Sequence, residues 1–74
     1  MTTILLTGSS RGIGAASKAA LESRGARVIG QATRSDAVDT VPADFAQPHA
    51  PRELWDAALA RAGGAIDVLV NNAG

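Results

Sequence analysis

Cysteine is absent from this chain. That excludes a disulfide staple and a thiolate metal site, two devices that often rescue a small core, and no metal site is expected. There is no excess of either charge, because seven Lys and Arg balance seven Asp and Glu. With no basic patch and no charge run, nothing points to nucleic acid or to a solvated tail. No apolar run approaches the length of a membrane span. Met1 leads almost at once into "TILLTG", without the charged and apolar regions of a secretory signal. These absences set the expectation of a cytoplasmic protein with neither a nucleic-acid nor a membrane partner. At 74 residues, one small domain is the most the length allows, and a chain this short buries only about 60% of its unfolded surface.

What is present is an alternation of strand and helix signals. "TILLT", Thr3 to Thr7, is apolar without clean alternation, which suits a strand buried on both faces. Ile13 to Arg24 is rich in helix formers, with Ile13, Ala16, Ala20 and Leu21 on one face and Gly25 as a stop. "RVIGQA", Arg27 to Ala32, reads as a second strand. "TVPAD", Thr40 to Asp44, reads as a third, placed at an edge by Pro42. Pro51 to Ala62 reads as a second helix with an apolar stripe of Leu54, Trp55, Ala58, Leu59 and Ala62, ended by Gly63 and Gly64. "IDVLV", Ile66 to Val70, is a fourth strand. The order β-α-β-β-α-β implies a parallel α/β sheet with right-handed crossovers. Both helices are expected on one face of the sheet, with the other face bare.

The most informative stretch is "LLTGSSRGIG", residues 5–14. Glycine is costly inside regular structure, yet Gly8, Gly12 and Gly14 cluster where a strand gives way to a helix. The free N–H groups at a helix N-terminus, backed by the helix dipole, favour a phosphate. Gly8 permits a sharp exit from the strand, Gly12 lets a pyrophosphate approach the backbone, and Gly14 lets the helix lie close to the sheet. The spacing differs from G-x-G-x-x-G, and no Gly-Lys-Ser/Thr follows to make a P-loop.

"TGSSRGIG" resembles the T-G-x-x-x-G-x-G cofactor motif of the short-chain dehydrogenase/reductase family. "NNAG", Asn71 to Gly74, resembles that family's second signature, and Asp44, followed by Phe45, stands where the family has an acid that contacts adenine. The resemblance runs from first strand to fourth and implies the N-terminal half of a Rossmann fold, a parallel α/β sheet of strand order 3-2-1-4, binding a nicotinamide dinucleotide. It implies that Gly8, Ser9, Ser10, Arg11, Gly12, Ile13 and Gly14 line the pyrophosphate and adenosine ribose. It implies that Asp44 accepts a hydrogen bond from the adenine amino group beside the Phe45 backbone. Asn72, Ala73 and Gly74 would flank the ribose and the path to the nicotinamide, and Asn71 would tie strands together. One departure is that "TRSDAVD" reads as a loop where many members place a helix.

Cofactor choice rests on the end of the second strand, where an acid suits the 2′-OH of NAD and an arginine suits the 2′-phosphate of NADP. Here Thr33 and Arg34 occupy that region, with Asp36 farther on. Arg11 is a second guanidinium that the resemblance places near the 2′-phosphate. NADP is therefore expected over NAD.

The family's general acid is a tyrosine with a lysine four residues later, and this chain has no tyrosine. Its single lysine, Lys18, lies on the first helix. No catalytic residue is assigned, so hydride transfer lacks its proton partner here. His49, between two prolines, is expected to be solvent-exposed, and Trp55 to pack within its helix. The expectation is that residues 1–74 are a partial dinucleotide-binding domain, truncated after the fourth strand. Its parent would be a homo-oligomeric oxidoreductase acting on a small-molecule carbonyl or alcohol. The competing reading is a self-standing, non-catalytic nucleotide-binding or regulatory module.

Overall fold

The structure is a computed structural model that describes residues 1–10, 12–34 and 39–72. Its elements run β1 (Thr3–Leu6), α1 (Gly12–Ser23), β2 (Arg27–Ala32), β3 (Thr40–Pro42), α2 (Ala50–Arg61) and β4 (Val68–Val70). The strands form one sheet in the order β3-β2-β1-β4, and every pairing is parallel. This is the arrangement expected from the sequence.

Both helices stop for the same reason. Ala26 N–H donates to the Leu21 carbonyl at 3.2 Å and Gly25 N–H to Glu22 at 3.0 Å, which caps α1. At α2 the Gly64 N–H reaches Leu59 at 2.8 Å and Gly63 reaches Ala60 at 3.4 Å. Both pairs satisfy carbonyls that a helix end leaves open. Pro51 falls in the first turn of α2, where its missing N–H costs nothing. The third and fourth strands are shorter than expected. Pro42 closes β3, and ahead of β4 the Asp67 carboxylate accepts the Thr3 N–H at 2.8 Å.

The helices sit on opposite faces, which corrects the expectation of a shared one. Leu5, Ile29 and Val41 form a buried cluster with Leu54 and Ala58 of α2. Their strand neighbours Ile4, Leu6 and Val28 point the other way, as the pleat requires, and are at most 5% exposed. The handedness rule gives the reason. The step from β1 to β2 and the step from β3 to β4 run in opposite directions across the sheet, so right-handed crossovers place their helices on opposite sides. The face opposite α2 is therefore not bare.

The apolar stripe read for α1 is also corrected. Ile13 is 78% exposed, Ala16 and Ala20 are exposed, and Gly14 is the buried residue of the helix. The close approach at Gly14 sets the rotation of α1, so its small residues turn outward. In α2, Leu54 and Ala58 are buried as expected, while Trp55 is 39% exposed. β4 stands apart, with Val68 at 42% and Leu69 at 55% exposure.

Candidate functional site

The site begins where β1 ends. Thr7 N–H still pairs with the Val70 carbonyl at 3.0 Å, and then Gly8 turns left with φ of 66°. Its N–H donates to Gln31 Oε1 at 2.8 Å. Ser9 turns inward: its N–H and its hydroxyl both reach the Gln31 carbonyl, at 2.9 Å and 3.3 Å. Ser10 faces out. Gly12 opens α1 with φ of 62°, and a Cβ there would meet no atom within 4 Å. At Gly14 a Cβ would lie 1.8 Å from the Gly8 carbonyl oxygen. Thus Gly12 leaves open space in front of the N-terminal turn of α1, and Gly14 lets that turn fold back against the loop.

The second strand and the third segment complete a cleft of about 310 Å³ lined by Gly8, Ser10, Gln31, Ala32, Thr33, Asp44 and Phe45. The structure thereby brings together residues from three separate stretches. Asp44 is exposed, and its Oδ1 accepts the Ala46 N–H at 2.9 Å. Arg34 is exposed just past β2. Ile13 belongs to the first turn of α1 and projects into solvent rather than into the cleft.

Asn71 and Asn72 lie on the loop's other flank. Asn71 Oδ1 accepts the Thr7 hydroxyl at 3.2 Å. Asn72 N–H donates to Thr7 Oγ1 at 2.9 Å, and its side-chain amide donates to the Gly8 carbonyl at 3.3 Å. These bonds tie the end of β4 to the start of the glycine loop. Arg11, Ala73, Gly74 and Asp36, also read from the sequence, lie outside the described residues. His49 is exposed at the N-terminus of α2. Lys18 is paired with Glu22 at 3.0 Å on α1.

Sequence reasoning missed two residues that shape this site. Gln31 is 2% exposed, and its Nε2 donates to the Ala43 carbonyl at 2.7 Å. The available signal was a lone glutamine inside the apolar run "RVIGQA". Gly30 is the other: a Cβ there would lie 2.1 Å from Ser9 Oγ and 2.9 Å from Ser9 Cβ. A second groove of about 370 Å³ lies on the α2 face among Leu5, Phe45, Leu54, Trp55 and Leu69. It is lined mainly by apolar side chains. Among the described residues, no group of acids, His or Cys is arranged to hold a metal, and no helix is long and apolar enough to cross a membrane.

Comparison with known proteins adds the following. Residues 2–74 match the family model described as short chain dehydrogenase. No curated protein matches the chain significantly in sequence. Among solved structures, the 3-alpha-hydroxysteroid dehydrogenase from Pseudomonas sp. B-0831, complexed with NADH, is 38% identical over 99% of the chain, with a TM-score of 0.85. The ligand-free aldohexose dehydrogenase of Thermoplasma acidophilum is 30% identical over 96% of it, with a TM-score of 0.82. A short chain dehydrogenase/reductase from Brucella ovis is 35% identical over 100% of this chain, with a TM-score of 0.78. The chain spans 31%, 29% and 36% of those proteins respectively.

Proposed function

The chain belongs to the short-chain dehydrogenase family, and from that premise we propose that it is the cofactor-binding segment of an NADP-preferring oxidoreductase. The whole protein would reduce a carbonyl or oxidise an alcohol on a small molecule. Residues 1–74 would form the first part of its dinucleotide-binding domain. One observation carries this reading. Gly8 and Gly12 hold left-handed backbone in a loop that opens a helix, and the space a Cβ would take at Gly12 is free. A helix N-terminus with open approach suits a pyrophosphate.

The residues fit a dinucleotide in other respects. The loop from Gly8 to Gly14 would hold the pyrophosphate, with Ser10 and Arg11 beside it. Asp44 keeps one carboxylate oxygen free of the Ala46 bond, and that oxygen suits an adenine amino group next to Phe45. Thr33 borders the same cleft. Asn72 would fix the loop's far flank through Gly8, with Ala73 and Gly74 continuing toward the nicotinamide. When bound, the nicotinamide ring would supply or accept a hydride.

The preference for NADP rests on charge. β2 ends at Ala32 and is followed by Thr33 and Arg34, with the nearest acid, Asp36, two residues farther on. A guanidinium offers a planar donor fork to a phosphate. Calorimetric titration with NADP⁺ and NAD⁺ tests this. Arg34→Asp should lower the NADP⁺/NAD⁺ affinity ratio by about tenfold or more, equivalent to about 1.4 kcal/mol. An unchanged ratio would remove Arg34 as the selector. The chain itself should show no carbonyl reduction with NADPH, because it has no tyrosine and Lys18 is engaged on α1. Turnover by these residues alone would favour a self-standing enzyme.

A further inference from the structure

The buried carboxamide of Gln31 sits between two parts of the cleft that are distant in sequence. Oε1 accepts from Gly8 N–H at 2.8 Å, and Nε2 donates to the Ala43 carbonyl at 2.7 Å. Gly8 begins the glycine loop, and Ala43 directly precedes Asp44. Gln31 itself forms part of the cleft wall between them. Each partner fixes the other: only an amide oriented with oxygen toward Gly8 and nitrogen toward Ala43 satisfies both backbone groups. Neither backbone group can be satisfied by an apolar side chain, and a buried polar group left without a partner is expensive.

The β2 backbone reinforces the link. The Gln31 carbonyl accepts both the N–H and the hydroxyl of Ser9, and Ala43 N–H donates to the Ala32 carbonyl at 2.9 Å. Position 31 therefore holds the glycine loop through Ser9 and Gly8, and the acid-bearing segment through Ala43. Of what position 31 contributes, the carboxamide is the part that a substitution can remove without deleting backbone.

We infer that Gln31 is a positioning residue that sets the spacing between the glycine loop and Asp44, and so governs binding of the adenine end of a dinucleotide. This rests on the dinucleotide-binding reading. Gln31 acts through Gly8 and Ala43 rather than by contact with reacting atoms. The same bond commits the Gly8 N–H to the protein, so the N–H groups left for a phosphate lie farther along the loop, toward α1.

The test uses the chain at low concentration with NAD⁺ as probe, because its pyrophosphate does not titrate near neutral pH. Saturation-transfer NMR reads the adenine and nicotinamide protons separately. A neutral carboxylic acid can supply the one donor and one acceptor that Gln31 uses here, although the amide carries a second N–H, whereas a carboxylate accepts only. Burial at position 31 and the facing Ala43 carbonyl raise an introduced carboxyl above the usual glutamate range, so Gln31→Glu should bind within about threefold of wild type at about pH 5.5 and at least about tenfold more weakly at about pH 8.5. Gln31→Met should be weak at both. Loss should be seen first at the adenine protons. Native titrating groups are common to all three proteins, so affinity ratios isolate the introduced carboxyl.

If wild type binds and both variants bind within about twofold of it at both pH values, the inference is overturned and the dinucleotide reading stands. If wild type binds neither NAD⁺ nor NADP⁺, both fall. Hydrogen exchange followed by mass spectrometry separates positioning from folding. Faster exchange confined to the segments containing Gly8 and Ala43 supports the inference. Exchange accelerated throughout the chain would make Gln31 a residue of general stability and overturn it.

Discussion

β2 and β4 flank the same strand, β1, and both are apolar, yet they end in opposite conditions. Along β2 every residue after Arg27 is buried. Along β4 two of three residues are exposed and none is fully buried. Composition does not separate them, since "VLV" is more uniformly apolar than "RVIGQA". The difference is one of neighbours. β2 lies between β1 and β3 with a helix on each face of the sheet, whereas β4 pairs with β1 along one edge. Burial is thus a property of what surrounds a strand, and an apolar strand with a free edge is a template for association.

The largest expected effect that probes this contrast is a matched pair of truncations. Ile29→Ala removes a side chain 1% exposed and should cost about 2–5 kcal/mol. Leu69→Ala removes one 55% exposed and should cost less than about 1 kcal/mol. Urea unfolding of the two variants compares them directly, and equal costs would erase the distinction between the strands. Next comes the loop that β1 and β2 hold between them. Gly12→Val should weaken dinucleotide binding at least about tenfold, about 1.4 kcal/mol, because the branched side chain enters the open space before α1. Equal affinity in wild type and variant would make the loop only a turn. The smallest effect on stability belongs to Leu69→Lys, within about 0.5 kcal/mol. It should nevertheless reduce self-association, visible by light scattering, because charge on an edge discourages pairing. Unchanged scattering would move the sticky surface away from β4.

Much of this contrast could be read from sequence, and the rest could not for identifiable reasons. Parallel pairing followed from helix-length connections, strand order from the resemblance to a Rossmann fold, and Pro42 correctly marked an edge strand. The sharp turn at Gly8 and a close approach at Gly14 followed from their place between a strand and a helix, but Gly14 lies against the Gly8 carbonyl and Asn72 rather than against the sheet. The side taken by each helix was misread because it depends on the direction of each crossover as well as its hand. The stripe on α1 failed because Gly14, with no side chain, fixes the helix's rotation, and hydrophobic periodicity gives glycine no weight. Gln31 escaped notice because its two partners, Gly8 and Ala43, are brought to it only by tertiary structure. A glutamine in an apolar strand signals that it needs partners without saying which.

The bonds from Asn72 to Thr7 and Gly8 join residues 65 and 64 positions apart. Contacts of such separation form late, because the intervening chain must first lose its freedom. During synthesis the glycine loop therefore emerges well before Asn72 but acquires its second flank only when Asn72 has cleared the ribosome. Until then, the β1 edge that β4 will cover stands open to other chains. Completion of the loop and closure of that edge are a single event, so the order of translation itself imposes a vulnerable interval on the centre of the sheet.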